Sequence, residues 1–140
     1  MARIFVSALS FGRYSNEPRQ LLEAAGHEVV LNPAGRPLTA EELAEKVQGC
    51  AALIVGVDPV TAEVFAAGRD LKVVAKHGVG VDNIDLAAAR AHGVTVTNVP
   101  NSNSEAVADL TFGLLLAVTR RIPQADQAVR GGKWQRFVGP

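Results

Sequence analysis

A ten-residue segment that begins at Lys76 carries the residue types best suited to binding a small ligand. It follows an apolar run typical of a buried strand and reads KHGVGVDNID over residues 76–85. Its two glycines, Gly78 and Gly80, allow the backbone to approach a ligand closely and leave amides free to point at it. Exposed amides beside Lys76 would suit a small carboxylate. The alternative is an ordinary strand-to-helix turn that requires glycine.

The same segment does not predict a dinucleotide-binding loop. Gly78-x-Gly80 matches the start of Gly-x-Gly-x-x-Gly, but position 83 is Asn, and the segment follows the fourth predicted strand instead of the first. No group of His, Cys or carboxylate residues has metal-ligand spacing, so no metal site is expected. His77 lies beside the loop without a predicted catalytic role. Cys50, the only cysteine, is expected to be an inert small apolar residue.

Short β-rich apolar runs alternate with amphipathic segments over the first hundred residues. This alternation predicts an α/β domain with a parallel sheet. The predicted strands cover 4–6, 28–31, 51–55, 71–75 and 94–96, and the predicted helices cover 16–25, 39–48, 61–67 and 86–91. Five strands with alternating helices favour a flavodoxin-like, doubly wound sheet. In such a sheet ligands bind at the carboxyl ends of the strands, where segment 76–85 would lie.

The last forty residues have a different pattern. Ser102 and Glu105 predict a capping box at the start of a helix that covers 103–120. Apolar residues occupy more than one face of this helix, so we expect it to pack against another domain or subunit. A second helix is predicted over 124–130, and the polar remainder to Pro140 is interpreted as a connector.

Composition restricts the function classes. The chain has 140 residues, 48% hydrophobic and 20% charged, which is typical of a soluble globular domain. The charges of its 14 basic and 14 acidic residues sum to zero. The sequence has no stripe of basic residues that would indicate binding to nucleic acid or to a membrane surface. No apolar run approaches the roughly 18 residues that a membrane-spanning helix needs. The N-terminus predicts a strand, not a signal peptide, and we expect a cytoplasmic protein.

The chain resembles the D-isomer-specific 2-hydroxyacid dehydrogenases, most closely their phosphoglycerate dehydrogenase-like branch. The resemblance follows the chain in order and is most specific over 72–134. The matching stretches are 72–85, 93–100, 103–109, 114–116, the pair Arg120-Arg121 and the sequence Gly132-Lys133-Trp134.

The resemblance implies a particular domain organisation. Members of this family combine a flavodoxin-like substrate domain with a Rossmann cofactor domain, joined by two crossing helices. Residues 1–100 would be the substrate-binding domain, and residues 101–140 would be an interdomain helix and a connector to an absent NAD-binding domain. The family's catalytic Arg, Glu and His would lie beyond the chain. We therefore expect no catalytic residue among these 140 residues and no activity from them alone.

The resemblance also implies roles for particular residues. Backbone amides of Val79 and Gly80 would hold the substrate carboxylate, Gly78 would shape the turn, and Lys76 would add positive charge. Ser104 matches a Thr or Ser near the nicotinamide, so it would contact NAD or NADP, which the missing domain would mainly bind.

The implied function is the substrate-binding domain of an NAD(P)-dependent oxidoreductase that acts on the CH-OH group of a D-2-hydroxy acid. Its ligand would be a small 2-hydroxy or 2-oxo acid, and the full-length protein would be a homodimer. One departure argues against 3-phosphoglycerate: many phosphoglycerate dehydrogenases have an Arg-Ser pair where this chain has Gly56-Val57-Asp58.

The alternative is a stand-alone flavodoxin-like module that binds or senses a small carboxylate. Two related classes fit less well. A receiver domain needs an acidic pair after the first strand, where this chain has Ser7-Ala8-Leu9. A flavodoxin needs a hydroxyl-rich phosphate loop there, and the serines at this position are sparse.

Overall fold

A computed structural model of the chain describes residues 1–134 and 136. The end of the predicted connector, at 135 and 137–140, lies outside the described residues. Five parallel strands form one sheet in the order β2-β1-β3-β4-β5, which confirms the predicted flavodoxin-like topology. The strands are β1 (Arg3–Val6), β2 (Glu28–Leu31), β3 (Ala52–Val55), β4 (Val73–Lys76) and β5 (Thr95–Thr97).

Four helices accompany the sheet: α1 (Glu17–Ala24), α2 (Ala40–Lys46), α3 (Ala62–Ala67) and α4 (Leu86–Ala91). Helix α2 begins where the sequence predicts it, because Thr39 and Glu42 form a capping box in which each side chain accepts a hydrogen bond from the other residue's backbone amide. Gly93 follows α4 with a φ of 69°, a left-handed conformation that glycine adopts without strain.

Side chains that alternate along the central strands pack on opposite faces of the sheet. Phe5 and Leu53 belong to the larger apolar cluster, which α2, α3 and α4 cover. Ile4 and Ile54 belong to a smaller cluster on the other face, where Leu22 of α1 packs. Burial on both faces explains why the strands are short apolar runs in the sequence. It also makes the sheet a rigid support for the loops that follow β1, β3 and β4.

A second compact unit begins at Asn103. It contains α5 (Ser104–Thr119) and α6 (Ile122–Arg130), which contact each other. The capping box predicted at Ser102 and Glu105 is wrong. Asn103 is the N-cap of α5 and makes no side-chain cap bond, while the hydroxyl of Ser102 donates to the carbonyl of Val99 in the preceding turn.

Helix α5 has apolar residues on several faces, as the sequence indicates. Within this chain Ala117 is half-buried and the other residues of the helix are exposed. Among the described residues, no helix has both the length and the apolar character needed to cross a membrane.

Candidate functional site

A cleft of about 380 Å³ lies at the carboxyl edge of the sheet. Small-molecule sites in proteins commonly measure about 300–1,000 Å³, so this cleft is at the small end of that range. Residues after three strands line it: Ser7, Leu9, Ser10 and Arg13 after β1, Gly56, Val57 and Asp58 after β3, and Lys76, His77 and Gly78 at the end of β4; Pro37 completes the wall. Lys76 and Gly78 of the predicted ligand-binding segment line this cleft, whereas Val79 and Gly80 do not.

Lys76 and Asn83 connect the loop after β4 to the loop after β3. The ammonium of Lys76 donates to the carbonyl of Gly56 and to Oδ1 of Asn83, each at 2.6 Å. The amide Nδ2 of Asn83 donates to the carbonyls of Gly56 at 3.1 Å and Asp58 at 2.6 Å. Because an ammonium has three donors, Lys76 can still offer one to a ligand. Its positive charge thus lies at the cleft, but two of its donors hold the loops together.

Asp58 is a buried carboxylate whose hydrogen-bond partners are all groups of the protein itself. It is 1% exposed, and its two oxygens accept from the hydroxyl of Ser7 at 2.8 Å and from the amide of Leu38 at 2.7 Å. No lysine, arginine or histidine among the described residues forms an ion pair with it. Since both oxygens are occupied by neutral donors, Asp58 connects the ends of β1 and β3 to the loop before α2.

The amides of Val79 and Gly80 donate to no acceptor among the described residues, and both residues are exposed. The carbonyls around them are held: that of Gly78 accepts from the amide of Val99 at 3.0 Å, and that of Val79 accepts from the side chain of Asn98 at 2.7 Å. Neither Val79 nor Gly80 lines the cleft itself; they follow Gly78, which does. The loop therefore presents two unpaired N–H groups next to the cleft.

The two glycines of the loop have different constraints. Gly78 has a φ of 157°, a backbone conformation that residues with a side chain rarely adopt. A Cβ at Gly80 would lie 2.9 Å from a carboxylate oxygen of Asp82, so any side chain there would require Asp82 to move. The backbone conformation of Gly78 thus favours glycine, and the absence of a side chain at Gly80 leaves room for the carboxylate of Asp82.

His77 is held by residues from the loop after β1. Its Nδ1 lies 3.0 Å from the hydroxyl of Ser10, and its ring meets that of Phe11 edge-on, with centroids 6.3 Å apart. Arg13 lines the same cleft, and its guanidinium lies 5.9 Å from the centre of the Tyr14 ring. The cleft therefore has hydrogen-bond donors on both sides, from β1 and from β4.

Ser104 is the first residue of α5 and belongs to the second compact unit. It is exposed, and its hydroxyl makes no hydrogen bond with the described residues. It could offer one polar contact to a nucleotide cofactor. The sequence contains no Gly-x-Gly-x-x-Gly, so these 140 residues lack the usual loop for a pyrophosphate. Among the described residues, no group of three or more His, Cys, Asp or Glu could hold a metal ion.

Four residues of the site have no role predicted from the sequence: Ser10, Arg13, Asp58 and Asn83. In the sequence, Asp58 and Asn83 stand out only as departures from known patterns. No local pattern indicates the role of Asn83, because its side chain donates to the carbonyls of Gly56 and Asp58, which are 27 and 25 positions away. Ser10 and Arg13 also gave no signal. Their place in the cleft depends on the path of the chain after β1, which has no regular pattern.

Comparison with known families gives a match over most of the chain. Residues 6–131 match the family model described as D-isomer specific 2-hydroxyacid dehydrogenase, catalytic domain. The match includes the whole loop after β4 and both helices of the second unit.

Individual relatives agree with that match. The chain is 43% identical over 124 residues to D-3-phosphoglycerate dehydrogenase of Sus scrofa, which covers 86% of this chain and 23% of the pig protein. It is 44% identical over 100 residues to glyoxylate reductase of Korarchaeum cryptofilum, covering 71% of this chain and 30% of that protein. The chain thus spans about a quarter of the length of these relatives.

One solved structure extends the comparison to three dimensions. The crystal structure of NAD⁺-bound 3-phosphoglycerate dehydrogenase from Entamoeba histolytica superposes with a TM-score of 0.78 at 26% identity. The superposition covers 99% of this chain and 42% of that one.

Proposed function

Because the chain belongs to the D-isomer specific 2-hydroxyacid dehydrogenase family, we propose that its 140 residues form the substrate-binding part of an NAD(P)-dependent oxidoreductase. The whole protein would act on the CH-OH group of a D-2-hydroxy acid or on the carbonyl of the corresponding 2-oxo acid. Residues 1–100 would bind the acid, and residues 101–140 would connect to a cofactor domain outside this sequence.

The unpaired amides of Val79 and Gly80 carry this proposal. Two adjacent N–H groups without protein acceptors supply the donors that one carboxylate would need. The hydrogen bonds of Asn98 and Val99 hold the carbonyls of the loop, and the network of Lys76 and Asn83 holds its entrance. An anion on these amides would displace no protein hydrogen bond, which favours affinity, and it would lie near the carboxylate of Asp82 beside Gly80.

The cofactor would supply hydride transfer at its nicotinamide ring. In this chain Ser104 would offer one contact to it, and the remaining contacts would come from the cofactor domain. We therefore expect no NAD-dependent turnover from the 140 residues alone. We expect the whole protein to be a homodimer, as family membership implies, and to be cytoplasmic, as the composition of the chain indicates.

The proposal is tested by titrating the ¹⁵N-labelled chain with D-glycerate and following its amide resonances by NMR. We expect the Val79 and Gly80 resonances to move with a shared, saturable dependence on concentration. Glycerol, which lacks the carboxylate, should leave them unchanged. Resonances of Val79 and Gly80 that do not respond to any 2-hydroxy acid would overturn the assignment of this loop.

Substitution of Val79 supplies a matched pair of variants. Val79→Pro removes the amide hydrogen, whereas Val79→Ala shortens the side chain and keeps it. We expect D-glycerate binding to be lost in the first and retained in the second, with the spectrum of the sheet residues showing that both are folded. Equal affinity in both variants would contradict a role for the Val79 amide.

The titration alone cannot distinguish a dehydrogenase from a stand-alone carboxylate sensor, because both would bind the acid. An activity assay of the full-length protein is needed as well. Oxidation of a D-2-hydroxy acid with NAD or NADP, lost on Val79→Pro, is the result expected of the dehydrogenase. Binding by the loop without any turnover in the full-length protein would favour the sensor.

A further inference from the structure

His77 has a fixed ring and one unused nitrogen. The Ser10 hydroxyl at 3.0 Å from Nδ1 and the edge-on contact with Phe11 hold the imidazole from the loop after β1. No described residue forms a hydrogen bond with Nε2. The residue lines the cleft and lies two positions before Val79. A polar atom of known position is therefore available in the cleft, two residues along the chain from the proposed carboxylate site.

The Ser10 contact also influences which nitrogen carries the proton. When the hydroxyl of Ser10 donates to Nδ1, the proton of a neutral imidazole is on Nε2, and Nε2 becomes a donor. A ligand oxygen would favour this arrangement, because it then accepts a hydrogen bond from a ring that is already oriented. Ser10 would thus be a positioning residue that acts through His77.

The rest of the cleft has a mostly apolar lining that also carries donors able to meet an oxygen acceptor. Lys76 retains one donor, Arg13 has a permanently charged guanidinium, and the acceptor oxygens of Asp58 are already occupied. The apolar residues Leu9, Pro37 and Val57 can cover the carbon atoms of a short chain. A 2-hydroxy acid with its carboxylate on the Val79 and Gly80 amides would extend its C3 atom towards these donors.

We propose that His77, positioned by Ser10, is a specificity-determining residue that selects 2-hydroxy acids with an oxygen substituent on C3 over those that end in a methyl group. The proposal rests on the proposed function, because it takes the Val79 and Gly80 amides as the carboxylate site. Its physical reason is that a donor built to bind a substrate oxygen is left unpaired when that oxygen is missing. One such hydrogen bond corresponds to a preference of about fivefold.

D-glycerate and D-lactate provide the test, since they differ only in the C3 hydroxyl. Each is titrated into the ¹⁵N-labelled chain while the amides of Val79 and Gly80 and the ring nitrogens of His77 are followed by NMR. We expect both acids to move the two amides, D-glycerate to bind about fivefold more tightly, and only D-glycerate to move the Nε2 resonance.

Variants of both residues separate a role in recognition from a role in folding. His77→Phe keeps an aromatic ring beside Phe11 and should reduce the preference by weakening D-glycerate alone. Ser10→Ala should reduce the preference and change the ratio of the two imidazole tautomers, and Ser10→Thr, which keeps the hydroxyl, should restore it. His92→Phe, outside the cleft, should leave the preference unchanged.

The outcomes distinguish this proposal from the one on which it rests. Equal binding of D-glycerate and D-lactate, with the Val79 and Gly80 amides responding to both, would overturn the role of His77 and leave the carboxylate site intact. No response of those amides to either acid would overturn both. A preference for D-glycerate that His77→Phe leaves undiminished would also overturn the role of His77.

Discussion

The ammonium of Lys76 lies 2.6 Å from the side-chain oxygen of Asn83, and this contact closes a network that holds two loops of the site. Both residues also bond to the carbonyl of Gly56 in the loop after β3. A lysine that lines a cleft would ordinarily be interpreted as a contact for an anionic ligand. In this chain Lys76 has a structural role, because two of its three donors form hydrogen bonds with protein groups.

Replacing Asn83 should loosen the loop and destabilise the fold. Asn83→Ala removes three hydrogen bonds, leaves the carbonyl of Asp58 without its side-chain donor and leaves Lys76 with one protein acceptor. We expect a loss of about 1–3 kcal/mol in the free energy of unfolding, measured with urea, and weaker binding of 2-hydroxy acids. Asn16→Ala is the control, since Asn16 makes no side-chain cap bond at α1. Equal stabilities of the two variants would contradict the network's importance.

Replacing Gly78 with a residue that has a side chain should destabilise the fold. The φ of 157° at Gly78 is rare for residues with a Cβ, and an added methyl would also lie 3.4 Å from Cε of Lys76. We expect Gly78→Ala to cost about 1–3 kcal/mol of stability and to weaken binding of D-glycerate.

Gly113 in α5 is the matched control for that substitution. A Cβ there meets no atom within 4 Å, and the residue is helical. Gly113→Ala should therefore stabilise the chain by about 0.5–1 kcal/mol, because alanine has the higher helix propensity. A Gly78→Ala variant as stable as the wild type, with unchanged affinity, would show that the turn does not depend on glycine.

The sequence predicts the elements of this fold better than the contacts of its site. Strand β2 and helix α4 have the predicted bounds, and the capping box at Thr39 is confirmed, because these features depend on residues close together in the chain. The capping box at Ser102 failed, since Asn101 adopts a φ of 62° and turns the chain before the helix begins at Ser104.

Contacts between distant segments could not be predicted in this way. Ser10 and His77 are 67 positions apart, and Gly56 and Asn83 are 27 apart. Each pair meets only because β1, β3 and β4 are neighbours in the sheet. The pattern predicts which strands exist and that ligands bind at their carboxyl ends, but the direction of each loop depends on packing that has no local signal.

Low pH should remove the contribution of Glu42 to the stability of the fold. Hydrogen bonds from the side chain of Arg36 and the backbone amide of Thr39 lower the pKa of Glu42 from 4.5 to about 2. A carboxylate whose pKa is lower in the folded state stabilises the fold above its unfolded pKa, and this contribution is lost as the pH falls from about 4.5 to about 2.

The variant Glu42→Gln isolates that effect. We expect it to be less stable than the wild type at neutral pH, with the difference in unfolding free energy shrinking below pH 4.5 and disappearing near pH 2. Glu45→Gln is the control, since Glu45 is exposed on the same helix and forms no ion pair with the described residues. A difference for Glu42→Gln that does not change with pH would show that the carboxylate's charge contributes nothing.

Cys50 should report opening of the fold through its reactivity. Burial raises the pKa of its thiol, the residue is fully buried, and Sγ donates to the carbonyl of Lys46 at 3.4 Å. Because the thiolate is the reactive form, a thiol reagent at neutral pH should label the native chain slowly, and subdenaturing urea should accelerate labelling in parallel with unfolding. Cys50→Ala should show no labelling. Rapid stoichiometric labelling without urea would mean that the larger apolar cluster opens at Cys50 without unfolding of the sheet.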